Sequence, residues 1–103
     1  MRYNIYLVQD AVEDLNQLSA TDRAAVREHI VLHLGFEPTK VSKSRIKRLK
    51  GLSKPQYRLR VDDIRVYYDV KDNDVEVLAI IKKDEAEAWL AAEGVKHERS
   101  SAK

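Results

Sequence analysis

Hydrophobic positions follow two different rhythms along this chain. In the first third they recur every three or four residues. Ala11, Val12, Leu15 and Leu18 predict an amphipathic helix over residues 10–18, and Ala25, Val26, Ile30 and Leu34 line one face of a second over 22–34. Ser19-Ala20-Thr21 between them offers capping hydroxyls, so the two form a tight helical hairpin. Gly35 is expected just past the second helix, and Pro38 stops its continuation. Ahead of the hairpin, residues 2–8 (RYNIYLV) are rich in strand formers.

From residue 46 the period drops to two. Residues 46–50 read as a short strand, and 56–61 (QYRLRV) and 64–70 (IRVYYDV) as two strands joined by a two-residue loop, Asp62-Asp63. Lys71 to Asp74 is another polar turn, followed by a strand over 75–82 (VEVLAIIK). Residues 84–92 are rich in Ala and Glu and helical, with Asp84 at the end where a helix favours negative charge. The order β-α-α-β-β-β-β-α predicts an α+β fold: an N-terminal strand, a helical hairpin and a short C-terminal helix, with the helices packed on one face of a mostly antiparallel sheet. One domain is expected over 1–93, followed by a frayed tail over 94–103.

The hairpin loop sets a register with chemical consequences. With Asp62 and Asp63 as the loop, Val61 meets Ile64, Arg60 meets Arg65, Leu59 meets Val66 and Arg58 meets Tyr67. Side chains alternate along a strand, so Arg58, Arg60, Arg65 and Tyr67 share one face. Leu59, Val61, Ile64, Val66 and Tyr68 share the other, which is expected to be the core. Like charges directly opposite on a sheet are destabilising. A polyanion between them offsets the repulsion, because a guanidinium matches phosphate in a bidentate fork. The competing reading is that Asp69, Glu76 or a mobile acidic segment neutralises them.

Charge extends this picture. The chain of 103 residues carries 19 Lys and Arg against 17 Asp and Glu, a net charge of only +2. Its distribution is uneven. Residues 40–65 hold ten basic side chains (Lys40, Lys43, Arg45, Lys47, Arg48, Lys50, Lys54, Arg58, Arg60, Arg65) against two acidic ones, while the segments before and after are each net −3. Such a cluster is the footprint of a polyanion, most often nucleic acid, or else a solvated charged face. With no cysteine, disulfides, thiol nucleophiles and iron–sulfur ligation are excluded. Three glycines, Gly35, Gly51 and Gly94, are too scattered for a phosphate-binding loop. No apolar run approaches the roughly 20 residues of a membrane helix. MRYNIYLVQD has no signal-peptide pattern, so a cytoplasmic protein without cofactor is expected.

Residues 46–89, IKRLKGLSKPQYRLRVDDIRVYYDVKDNDVEVLAIIKKDEAEAW, resemble the RelE/ParE toxin superfamily of bacterial toxin–antitoxin systems. The likeness lies in a basic strand with L-x-G, then YRLRV, a tight turn, RVYY-V, an apolar strand, a basic pair and a helix. With the N-terminal strand and hairpin it covers residues 2–90. It implies a small α+β toxin held silent by a cognate antitoxin. In the RelE branch the toxin is a metal-independent endoribonuclease. It cuts messenger RNA in the ribosomal A site through attack of the 2′-hydroxyl on the neighbouring phosphate. In the ParE branch the same fold poisons DNA gyrase, and fold alone does not choose between them. A toxin-fold relic or regulator without catalysis is a third reading.

The resemblance also implies roles for particular residues. Arg58 and Arg60 fall where the family places a base and a phosphate holder. Arg65 stands at the position that stabilises the transition-state phosphate. Lys83, with Lys82 beside it, stands at the basic position after the last strand, and Trp89 where RelE has a tyrosine that stacks on RNA and helps move a proton. Arg58 replaces the usual lysine, and arginine, which holds its proton tightly, is a poor base. Trp89 can stack but has no proton to exchange. Tyr67, beside Arg58, offers a substitute proton donor or is a plain strand tyrosine. Lys43, Arg45, Lys47, Arg48, Lys50 and Lys54 are expected to add RNA contacts.

Other groups carry weaker signals. His29 and His33 are four apart on a helix, a zinc-compatible spacing, but no third ligand is evident and no metal is expected. Asp84, Glu85 and Glu87 fit helix N-terminal acids better than paired catalytic carboxylates. Trp89 with Ala86 and Leu90 reads equally well as packing for the last helix. No apolar stripe is evident for self-association, so the free protein is expected to be a monomer. The antitoxin is expected to pair an acidic segment with the arginines and to lay a helix near Leu90.

Overall fold

The computed structural model describes residues 2–96. Strand β1 (Asn4–Leu7) leads into helix α1 (Gln9–Asn16) and, after a short turn, α2 (Ala20–His29). The Ser19 hydroxyl accepts from the Asp22 amide at 3.2 Å, capping α2 as its position suggests. The expected 22–34 helix changes character partway: Ile30–Leu34 is a single π-helical stretch. Val26, Ile30 and Leu34 are each four apart and all buried. That spacing drifts around an α-helix of 3.6 residues per turn, and a wider turn returns Leu34 to the core side. Gly35 keeps a right-handed φ of −72°, and its carbonyl accepts from the Tyr3 amide at 2.8 Å. It therefore ties the hairpin to β1 and is not a left-handed cap.

The remaining strands are β2 (Ile46–Arg48), β3 (Leu52–Lys54), β4 (Tyr57–Val61), β5 (Ile64–Lys71) and β6 (Asp74–Lys82), then α3 (Lys83–Glu93) and β7 (Val95–Lys96). Four of them join β1 in one sheet in the order β1-β6-β5-β4-β2, antiparallel except for the β1–β6 pair. The two hairpin loops begin at Asp62 and Asp72, each with φ +54°, a left-handed conformation that a short acidic side chain tolerates. The β4–β5 register is the expected one: Val61 with Ile64, Arg60 with Arg65, Leu59 with Val66, Arg58 with Tyr67.

Two expectations are corrected. The helices do not share a face. The helical hairpin, with its turn and π-helical end, buries Ala11, Leu15, Leu18, Val26 and Ile30 against Leu59, Val61, Ile64, Val66 and Tyr68, while α3 buries Ala86 against Tyr67 and Ala79 on the opposite side. The register slips between Tyr67 and Tyr68, with Tyr67 opposite Ala79 and Tyr68 opposite Val77, so Leu78 is an extra residue. That bulge lets Val77 and Ile80 both face the hairpin although they are three apart. The second correction concerns the C-terminus. Val95–Lys96 pairs with β3 in a separate two-stranded sheet, so ordered structure runs past the boundary placed at residue 94. The rest of the expected tail, 97–103, lies outside the described residues.

Candidate functional site

Two rows of side chains cross the α3 face of the sheet. One is Lys47, Arg58, Tyr67 and Ala79, running from β2 through β4 and β5 to β6. The next is Arg60, Arg65 and Ile81. Both begin apolar under α3, where Tyr67, Ala79, Ile81, Leu49, Trp89 and Leu90 pack together. Both end basic where α3 no longer covers the sheet. The site is this open half: Lys47, Arg58, Arg60 and Arg65, backed by a wall of Tyr67 and Trp89.

No ion pair among the described residues neutralises these arginines, although the Asp63 charge acts on Arg65 from beyond ion-pair distance. The ion pairs among the described residues are Lys40–Glu37, Lys54–Asp69 and Lys54–Glu76, none involving Arg58, Arg60 or Arg65. Asp69 and Glu76, the two carboxylates that sequence offered as neutralisers, both face Lys54 instead, at 3.8 and 3.7 Å. Asp69 also accepts from the Gln56 amide at 2.7 Å. Arg65 donates to the backbone carbonyls of Asp62 (2.8 Å) and Ile64 (3.2 Å), which hold its guanidinium without cancelling its charge. Partial burial, then Arg58 and Arg60, push its pKa below the ordinary arginine value. The Arg58 Nε is shut away from solvent with no hydrogen-bond partner. Such a cluster is built to receive an anion carrying several oxygens.

Tyr67 is 2% exposed, and its ring stacks on Trp89 with centroids 5.0 Å apart and an 18° interplanar angle. Burial raises the Tyr67 pKa, opposed by Arg58 and Arg65, so its hydroxyl stays protonated at neutral pH. Trp89 is half-buried and turned toward Tyr67. Its packing role is therefore realised, and a base can stack only on ring surface that Tyr67 leaves open.

The other basic residues scatter. Lys43 and Lys50 are exposed on loops, and Lys54 is taken by its carboxylates. Arg48 lies 5.0 Å over the Tyr57 ring, which stacks on Tyr68 and so belongs to the hairpin side. Arg45 turns off the sheet toward α2, where its Nη1 is 3.5 Å from the His29 Nδ1. Lys82 and Lys83 are exposed at the start of α3, and the Lys83 amide donates to the Asp63 carbonyl at 2.7 Å. That bond fastens α3 to the arginine hairpin. Sequence reasoning missed Leu49, which joins the apolar wall; a leucine between Arg48 and Lys50 was the available signal. It also missed an apolar patch of Val31, Leu32 and Phe36, each about half exposed beside the π-helical stretch. Among the described residues no group of three or more His, Asp or Glu is arranged to hold a metal, and no helix is long and apolar enough to cross a membrane.

No family model matches the sequence, and no curated protein matches it. Solved structures do. The archaeal RelE–RelB complex of Pyrococcus horikoshii contains a chain similar at 26% identity, with TM-score 0.66 over 81% of this chain and 97% of that one. The RelBE2 toxin–antitoxin complex of Mycobacterium tuberculosis gives 25% identity and TM-score 0.60 over 80% and 99%. A chromosomal ParDE system of Pseudomonas aeruginosa gives 10% identity and TM-score 0.58 over 79% and 96%, a likeness of fold alone.

Proposed function

We propose that this RelE-like chain, which has the fold of the RelE/ParE toxin superfamily, is the toxin of a type II toxin–antitoxin system and cleaves messenger RNA on the ribosome. The observation that carries the reading is the trio Arg58, Arg60 and Arg65, adjacent across β4 and β5 and without a carboxylate partner among the described residues. The RNA 2′-hydroxyl attacks the neighbouring phosphorus and the bond to the 5′-oxygen breaks, leaving a cyclic phosphate and a 5′-hydroxyl. Charge builds on the phosphoryl oxygens as the phosphorane forms, and fixed guanidiniums stabilise it more than they stabilise the ground state. Arg65, held by two carbonyls, is the best oriented of the three.

Acid–base help is the weak part of this site. An arginine is a poor base, and Tyr67 is covered. The 2′-hydroxyl proton passes to water or to a ribosomal group, and the departing 5′-oxygen is protonated from the same source. General acid–base catalysis is worth about 10²–10⁴-fold, so cleavage of free RNA is slow and the ribosome supplies in-line positioning. The partner that silences the toxin is an antitoxin whose acidic segment covers the arginines.

The Trp89–Tyr67 stack favours a second reading, a ParE-like gyrase inhibitor that binds without cutting, because it uses ring surface that RNA stacking needs. Induction in a bacterial host separates the two. The nuclease reading expects translation to stop and messengers to be cut within codons on ribosomes. Continued translation with accumulating gyrase–DNA breaks selects the inhibitor.

A further inference from the structure

The basic surface does not end at the arginine trio. Arg60 is bonded through its backbone to Arg45: the Arg60 amide donates to the Arg45 carbonyl at 2.8 Å, and the Arg45 Nη1 donates to the Arg60 carbonyl at 3.3 Å. Residue 45 lies at the β2 edge of the sheet, and its guanidinium has left the arginine face for a cleft of about 220 Å³ between that edge and the end of the helical hairpin. His33, Glu37, Lys40, Ser42 and Arg45 line it. His29 stands behind, its ring 5.4 Å from that of His33. Three basic or protonatable groups and a hydroxyl thus converge on a space large enough for a phosphate. The one acid, Glu37, is exposed and paired with Lys40 at 3.8 Å.

We infer that this cleft is a second phosphate subsite, which takes the backbone of an RNA strand leaving the arginine face over the β2 edge. The inference rests on the RNA reading of that face. From Arg65 through Arg60 to Arg45 is two strand spacings, about 10 Å, so only RNA extending beyond the cleaved linkage fills both. Binding there takes up protons. The His29 Nδ1 lies 3.5 Å from the Arg45 Nη1. Burial, then Arg45 and His29, holds the His33 pKa below the ordinary imidazole value. A phosphate reverses that balance by adding negative charge beside His33. Binding is therefore stronger as pH falls. Glu37 opposes this, and a phosphate must draw Lys40 away from it.

The test uses the full chain and two single-stranded oligoribonucleotides with a non-reactive 2′-methoxy group, one of three nucleotides and one of eight, read by fluorescence anisotropy. The eight-mer is expected to bind more tightly, and to tighten further between pH 7.5 and 5.5, while the three-mer changes little. His33→Gln should abolish the pH effect for the eight-mer alone. Lys40→Gln, at a side chain too exposed to affect folding, should lower the eight-mer's slope of log K against log salt by about 0.7, the value of one single-strand phosphate contact. Equal eight-mer affinity and slope in the wild type and Lys40→Gln, with the pH effect retained in the histidine variant, overturns the subsite. Arg65→Ala separates that failure from failure of the RNA reading: it weakens both lengths if the arginine face binds RNA and neither if it does not.

Discussion

The two faces of the sheet are made from the same strands to opposite specifications. On the hairpin side every second residue of β4 and β5 is aliphatic or aromatic, and Leu59, Val66 and Tyr68 are fully buried. Its polar groups are answered: the Tyr68 hydroxyl donates to the Pro38 carbonyl at 2.6 Å, and the Ile80 amide donates to the Asp14 carboxylate at 3.0 Å. On the α3 side the alternate residues are Arg58, Arg60, Arg65 and Tyr67, a single short helix covers half the surface, and a buried arginine nitrogen has no partner. One face fulfils every condition for stability and the other breaks several together. Conflicts between local rules concentrate where a protein does its work, so the difference points to the second face before any likeness is considered.

The sharpest way to break this comparison is to exchange the penalties. Leu59→Ala removes a fully buried side chain from the hairpin face and is expected to cost about 2–5 kcal/mol in urea unfolding. Arg65→Ala, one strand away on the other face, is expected to leave the unfolding midpoint unchanged or higher. It should nevertheless reduce ribosome-dependent cleavage about 10²–10³-fold, the scale of losing one fixed donor to a transition-state charge. Lys43→Ala is the control on an exposed loop, with a small change in association and none in the cleavage step. Equal losses from Arg65→Ala and Lys43→Ala indicate a diffuse patch without a site.

Much of this was legible because a two-residue loop leaves little freedom. Once Asp62-Asp63 is the turn, the pairings of Arg58, Arg60 and Arg65 follow, and so does the division of the two faces. Three things were not legible, each for a physical reason. Ala86, Trp89 and Leu90 identify an apolar stripe on α3 but carry no information about which side of the sheet it meets. The extra residue Leu78 reverses the parity of β6 within an unbroken apolar run, so no alternation marks it. Long side chains also leave the face that their backbone suggests. Arg45, which the alternation with Lys47 would put on the arginine face, reaches α2 instead, and backbone period does not constrain its long side chain. The β3–β7 pair is simply too short for periodicity to register.

Trp89 tests the boundary between the covered and open halves of the α3 face. Trp89→Phe keeps an aromatic partner for Tyr67, whereas Trp89→Ala forfeits the stack, worth about 0.5–1.5 kcal/mol beyond the area lost. Thermal unfolding should therefore rank wild type, Phe, Ala in falling order. If Trp89 serves only as cover for Tyr67, cleavage by folded protein below the transition is unchanged in both variants. A loss of cleavage in Ala that Phe restores assigns the ring a contact with RNA as well.

The smallest expected effect is the most specific to the arginine face. Arg60 opposes Arg65 directly, neither has an ion pair among the described residues, and the Asp63 charge offsets the repulsion only in part, so it is a standing cost to the fold. Arg60→Gln removes one charge and keeps a polar side chain of similar reach at an exposed position. Cross-strand pairs of this kind are worth about 0.2–1 kcal/mol, so the variant is expected to be more stable by that amount at low salt. The gain must shrink as salt rises, because the Debye length falls from about 30 Å at 0.01 M to about 3 Å at 1 M, below the separation of side chains on adjacent strands. Stability that rises at low salt and converges on wild type at high salt identifies repulsion between the guanidiniums as the cause. A loss of stability, or a gain independent of salt, means that Arg60 acts through packing, and the two faces then differ less in their energetics than their composition suggests.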